Sequence, residues 1–293
     1  MVLAVDIGGT KMAAALVDSG GSILTAAHAA TPVSDDGESV FDALAAVIDR
    51  VLSPSTARPV VCGVGCGGPM EAGGERVSPL NISAWRDFPL RGRLAGLVGL
   101  PVVVDNDAKA LALGEGWLGA ATGVGNYLGM VVSTGVGGGI VIGGRLLDGE
   151  HGNAGHIGHM VVEPDGRACV CGGRGCLEAE ASGTAIEAMT GHPASAAPDP
   201  VRRRAGTLVG RAVASVANLL DLQLAVVAGS VALGFGELFF DAAQEEIALR
   251  SRLSFSRATR IIPGALGAHG PLVGAAAVGR RALVPSDQGA MAR

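Results

Sequence analysis

Apolar residues come in short blocks separated by glycine, and the spacing inside the blocks predicts strands alternating with helices. Val2 to Ile7 is a β-rich run, Gly8-Gly9-Thr10 a turn, and Lys11 to Val17 a second run. Asp18-Ser19-Gly20-Gly21 then turns the chain into a third. Leu128 to Leu147 repeats the plan, with Gly129 to Val132, the glycine-rich Ser133 to Gly139, Ile140 to Ile142, and Gly143-Gly144 before Arg145 to Leu147. The repetition predicts an internal duplication. Between the copies, Val40, Phe41, Leu44, Val47, Ile48 and Val51 fall at helical spacing behind the capping residues Ser34 to Asp36. Val60-Val61-Cys62 and Pro101 to Val104 read as buried strands; the second ends in Asp105-Asn106-Asp107 and leads into a helix through about Trp117.

Beyond the second copy lies a cysteine-rich loop, then a helix from about Arg202 to Leu220 and a strand from Leu224 to Ala228 that ends in Gly229-Ser230. Phe235 to Leu249 and Pro271 to Leu283 are expected to be helical, Gly191 to Pro200 a surface loop, and Pro285 to Arg293 a frayed tail. The strand and helix alternation predicts an α/β protein.

Composition narrows the classes. At 293 residues the chain is long enough for two units with a core in each. Hydrophobic residues make up 48% and charged ones 17%, yet no apolar run approaches the roughly 18 residues of a membrane span. The formal net charge of −5 supplies no basic field for a nucleic-acid backbone, so neither membrane nor nucleic acid is an expected partner. Met1 to Asp6 carries no basic stretch before an apolar run, and neither a secretory signal nor a preceding DNA-binding domain is expected. Three of the five cysteines crowd into eight residues, which in a reducing compartment points to metal rather than disulfides; the cytoplasm is the expected location.

Several short segments could carry chemistry. Asp6-Ile7-Gly8-Gly9-Thr10-Lys11 sets a carboxylate at a strand end, two residues without bulk, then a hydroxyl and an ammonium. Glycine amides can approach phosphate oxygens, Thr10 and Lys11 add donors, and Asp6 can hold a hydrated magnesium ion. An ordinary hairpin also needs glycine, but the near-copy at Ser133 to Gly139 favours two turns that clamp a phosphate chain from both sides. Cys169, Cys171 and Cys176, with His159 ten residues upstream of the first, complete a closed tetrahedral zinc shell of the structural kind. Cys62 and Cys66 lie outside it and read as buried or loop thiols. Asp107, between a strand and a helix, is either a helix cap or a carboxylate placed to accept a proton from an attacking hydroxyl.

The hexapeptide Asp6 to Lys11, the run Ser133 to Gly144 and Ala154-Gly155-His156-Ile157-Gly158-His159 resemble the ROK family of sugar kinases and repressors, and the likeness extends from about Val2 to Leu283. It implies the actin-like, ribonuclease H-like ATPase fold, with two α/β lobes and a central cleft. The lobes are expected at 1–105, joined by the C-terminal helix 271–284, and at 106–270 with the zinc loop 159–176.

The resemblance also implies roles. Asp107 corresponds to the catalytic base, and Asn106 to the residue that grips a sugar hydroxyl. Gly68 and Asn81 match loops that close over the sugar, and Glu178 a sugar-binding glutamate. Asp6, Gly8, Gly9, Thr10 and Lys11 fall on one nucleotide turn. Thr134, Gly135 and Gly138 fall on the other, and Gly229-Ser230 resembles the adenosine-side turn. The histidine and three cysteines, His159, Cys169, Cys171 and Cys176, have the spacing of the family's zinc site.

Three positions depart from the family pattern. Lys109 stands where asparagine or glutamine is usual, Met70 where glycine is common, and His156 where most of these kinases carry glutamate. The His-Ile-Gly-His form is similar to that of bacterial N-acetylmannosamine kinases. The implied function is an ATP- and magnesium-dependent sugar kinase, structural zinc included, acting on the 6-hydroxyl of a hexose or N-acylhexosamine, with N-acetylmannosamine favoured and glucose the alternative. A non-catalytic sugar-sensing protein and the repressor branch are rivals, polyphosphate remains open as donor, and family analogy suggests a homodimer.

Overall fold

The computed structural model describes residues 1–283. The tail expected at 285–293 and the final residue of the helix expected at 271–284 lie outside the described residues. The described residues divide into two compact units, one formed by Met1–Ala110 together with residues 271–283, the other by Leu111–Gly270.

In the first unit β1 (Val2–Ile7), β2 (Lys11–Val17), β3 (Ile23–Ala30), α1 (Gly37–Leu52), β4 (Val61–Cys66), α2 (Leu90–Val98) and β5 (Val102–Asn106) follow in order, and α3 (Asp107–Leu118) carries the chain out. The sheet order is β3-β2-β1-β4-β5. β1 pairs antiparallel with β2 and parallel with β4, and β4 pairs parallel with β5. The central strands are apolar on both faces because helices cover both; edge strand β3 alternates half-buried and exposed. Asp36 caps α1 by accepting from Glu38 N and Ser39 N, and all six apolar positions of its helical pattern are buried.

The second unit contains β6 (Tyr127–Val132), β7 (Val136–Ile142), β8 (Arg145–Leu146), α4 (Leu177–Ala181), α5 (Gly183–Thr190), α6 (Asp199–Leu220), β9 (Leu224–Ala228), α7 (Ser230–Phe235), α8 (Glu237–Arg250) and β10 (Arg260–Pro263). Its sheet runs β10-β9-β6-β7-β8, so each strand of the first sheet has a counterpart in the second, with the same antiparallel and parallel pairings. The duplication read from two glycine turns is thus present in strand order. α9 (Gly270–Arg281) returns to the first unit.

Local corrections have simple causes. The loop expected at 191–200 is shorter, because Pro200 sits in the first turn of α6, where a missing N–H removes no helical bond. The helix expected at 235–249 is α8, which starts two residues later behind Gly236 at φ +58°, and the short helix α7 that precedes it was not expected. α2 was not legible because only Leu90 and Leu94 are buried on it, and β10 because it is four residues long. Among the described residues no helix is long and apolar enough to cross a membrane.

Candidate functional site

In the first unit the carboxyl ends of β1, β4 and β5 lie level. Asp6 is opposite Gly65, and Gly65 opposite Asp105, so the three share one face of the sheet. The missing side chain at position 65 leaves room above the row: a Cβ there would lie 3.8 Å from Asp6 Oδ1 and 3.6 Å from Asp107 Cα. Asp107 opens α3 directly after the strand, and its Oδ1 accepts from Ala108 N at 2.8 Å, while Asn106 Oδ1 accepts from the same N–H at 3.0 Å. Burial, together with the charge of Asp107 and against the opposing pull of Lys11, pushes the Asp6 carboxyl up to about 7. Burial also raises Asp107, with the Ala108 N–H acting in the other direction.

The turn after β1 is held by Gly8 N donating to Lys11 O at 3.0 Å and by Thr31 Oγ1 donating to Gly8 O at 2.6 Å. Thr10 and Lys11 are exposed at its tip. Asn81 packs on this turn so closely that a Cβ on Gly9 would come within 2.7 Å of Asn81 Cβ. Gly68 is brought to the same loop by Leu80 N donating to its carbonyl at 3.2 Å. The first unit therefore gathers Asp6, Gly8, Gly9, Asn81, Asn106 and Asp107 about one corner. Met70 bridges to Val77 as part of the folded loop. Lys109 turns inward instead: its Nζ lies 3.0 Å from Asp105 Oδ1, and Asp105 Oδ2 is 2.9 Å from Arg281.

The second unit carries the matching turn. Ser133 N donates to Gly135 O at 2.9 Å, Ser133 O accepts from Gly183 N, and Thr134 O accepts from both the N–H and the hydroxyl of Thr184. The hydroxyls of Ser133 and Ser230 are 2.9 Å apart, which draws the Gly229-Ser230 turn to the Ser133–Gly139 turn. Gly229, at φ +100°, has no room for a Cβ against the Val132 carbonyl. Glu178 reaches the same turn, its Oε2 accepting from Val136 N at 2.9 Å. Gly138 faces the segment that carries His156, where a Cβ would stand 2.9 Å from Ile157 Cγ2. The His156 and His159 rings are 6.1 Å apart.

His159, Cys169, Cys171 and Cys176 converge, with all four ligand atoms within 4.8 Å of one another. Cys171 Sγ is 3.7 Å from Cys176 Sγ, and Cys169 Sγ 3.7 Å from His159 Nδ1. Tetrahedral ligands about 2.3 Å from a zinc ion would stand about that far apart, so the four side chains fit the ion.

Two buried carboxylates have structural tasks that composition did not reveal. Glu115 accepts from the amides of Ala120, Ala265 and Leu266. Glu180, 2% exposed, accepts from Arg167 N at 2.6 Å and from the guanidiniums of Arg167 and Arg204 at 2.8 and 2.7 Å, anchoring the cysteine loop to α6. Burial alone would raise its pKa, but the Arg167 amide and the two guanidiniums outweigh it and hold the carboxyl below its ordinary 4.5. A lowered folded pKa stabilises the fold above the unfolded value and is lost as pH falls through it. Melting temperature measured between about pH 6 and 3 is therefore expected to decline less steeply in Glu180→Gln than in the wild type, from a lower starting value. Parallel declines would show that Glu180 contributes nothing to acid stability.

Residues 2–282 match the ROK family. An N-acetylmannosamine kinase of Yersinia pseudotuberculosis serotype O:1b (strain IP 31758) is 37% identical over 252 residues, which cover 80% of this chain and 85% of the relative. The ROK hexokinase of Thermus thermophilus superposes with a TM-score of 0.81 at 35% identity, over 96% of this chain and 98% of the other. A ROK family glucokinase from Streptomyces griseus, solved with glucose and AMPPNP, gives 0.82 at 32% identity, over 96% and 99%.

Proposed function

The chain belongs to the ROK family, and from that premise we propose that it is an ATP-dependent sugar kinase that phosphorylates the 6-hydroxyl of an N-acylhexosamine, N-acetylmannosamine foremost. The observation that carries the kinase reading is the pair of glycine turns at equivalent places in two sheets of the same strand order, the first of them beside Asp6 and Asp107. The sugar reading rests on His156 and on the N-acetylmannosamine kinase at 37% identity.

In this mechanism the first unit supplies the base. The sugar O6 attacks the γ-phosphorus, the bond from that phosphorus to the ADP oxygen breaks, and the hydroxyl proton passes to a carboxylate oxygen of Asp107. Asn106, Asn81 and Gly68 hold sugar hydroxyls, and the amides of Gly8 and Gly9, with Thr10 and Lys11, receive phosphate oxygens. Asp6, whose charge is disfavoured by burial beside Asp107, is suited to a nearby cation and would hold magnesium through its water shell. The second unit contributes Thr134, Gly135 and Gly138 to the phosphates and Gly229 and Ser230 to the adenosine. His156, His159 and Glu178 contact the sugar. Zinc on His159, Cys169, Cys171 and Cys176 would brace the loop that presents these side chains. A cytoplasmic homodimer belongs to the same reading, and sedimentation of the purified protein tests the dimer.

The deciding experiment assays glucose, mannose, N-acetylglucosamine and N-acetylmannosamine with magnesium and either ATP or polyphosphate. Preference for N-acetylmannosamine with ATP is expected. Preference for glucose instead selects the second reading, a glucokinase, which the Streptomyces griseus relative supports. His156→Glu replaces one donor and one acceptor with a double acceptor for adjacent hydroxyls, and an unmatched buried polar group costs about 1–3 kcal/mol. Relative kcat/KM is accordingly expected to shift toward glucose by roughly ten- to a hundredfold. No shift would remove His156 from sugar choice.

A further inference from the structure

We propose that Asp105, Lys109 and Arg281 form a positioning cluster that fixes the direction of the Asn106-Asp107 pair, so that helix α9 sets the aim of the base. The inference rests on the reading of Asp107 as that base.

The cluster sits directly behind the pair. One oxygen of Asp105 accepts from Asn106 N at 2.9 Å and lies 3.0 Å from Lys109 Nζ, while the other lies 2.9 Å from Arg281. Lys109 is 2% exposed and Asp105 7%. Stability alone explains such an arrangement poorly, because buried ion pairs seldom outperform apolar groups of the same volume. Location explains it better. β5 ends at Asn106 and α3 begins at Asp107, with no loop between them, so the direction of the Asp107 side chain depends on the backbone over 105–107. The Asp105 carboxylate pins that backbone at Asn106 N and pins the first turn of α3 through Lys109.

The third contact comes from the far end of the chain. Gly63 on β4 and Gly279 on α9 meet without side chains, and a Cβ on Gly63 would collide with the backbone of Ala275 and Gly279. That close approach seats α9 on the sheet and brings Arg281, two residues further on, to Asp105. Burial raises the Asp105 carboxyl on balance, with Lys109, Asn106 N–H and Arg281 pulling against it.

The test measures kcat, both KM values and melting temperature for Arg281→Gln, Arg281→Lys, Asp105→Asn and the double variant Asp105→Asn/Lys109→Gln. Misplacing a reacting group by about 1 Å can cost roughly 10²-fold in rate. Asp105→Asn is expected to lose on the order of 10- to 100-fold in kcat with the KM for ATP within about twofold of wild type, while the sugar KM rises alongside because Asn106 belongs to the same pair. Arg281→Gln, at a more exposed position, is expected to lose less, with Arg281→Lys recovering most of it. The double variant, which replaces a buried ion pair by two amides, keeps the test open should a single variant fail to fold, and is expected to fold with lowered kcat. Folded variants with wild-type kcat, or losses confined to KM, would overturn the positioning role. A wild type inactive on every sugar would instead overturn the kinase reading on which it rests.

Discussion

Asp107→Asn is expected to lower turnover by roughly 10²–10⁴ while leaving sugar affinity nearly intact, the loss associated with a missing general base. The amide keeps the size of the carboxylate, and its oxygen can still accept from Ala108 N, so the start of α3 should hold. What it lacks is an oxygen able to take the O6 proton. The substitution also removes a charge that raises Asp6, so the Asp6 carboxyl should titrate at lower pH in the variant. Kinetics on the preferred sugar, with binding measured separately by calorimetry, check this. Turnover within a few fold of wild type would leave Asp107 as a helix cap and nothing more.

One zinc ion per chain is expected in protein purified without chelator, and Cys176→Ala should release it. Small zinc-binding peptides hold their metal with roughly 10–16 kcal/mol at neutral pH, so loss of one of four ligands is a large change. Cys176 precedes α4, which carries Glu178 and Glu180, and Val161 bridges to it from the segment just past His159. Loosening this junction should free His159, raise the sugar KM and lower the melting temperature together. Elemental analysis reads the metal and thermal melting reads the loop, independently of activity. Absence of zinc from the wild-type protein would end the structural-zinc reading.

The two glycine turns and the helix of Val40 to Val51 were legible because each has a periodic or repeated signature that local chemistry enforces. The histidine and cysteines were legible for a similar reason: few backbones place a Cys-x-Cys and a following cysteine in a glycine loop without a metal to satisfy. Asp105 and Lys109 stand four positions apart, but the first lies at the end of a strand and the second in the first turn of a helix, so no single periodicity announces the pair. Their joint task was hidden because Arg281 lies 176 positions away from Asp105 and only the Gly63–Gly279 contact brings it back. Glu180 was hidden likewise, since Arg204 reaches it from another helix. Contacts of that kind are set by packing, which no local window records.

The first unit is assembled from both ends of the chain, with Leu111–Gly270 inserted between them. On the ribosome its sheet therefore emerges early and stays without α9 until the whole insert has been made. At synthesis rates of roughly 5–20 residues per second that interval is on the order of ten seconds or more. During it the backbone of Gly63 and the carboxylate of Asp105 stand uncovered, a window in which a chaperone or protease meets a half-finished surface. A chain released early, before Arg281 is added, would carry every residue of the proposed nucleotide and sugar sites and still lack the last brace of its base.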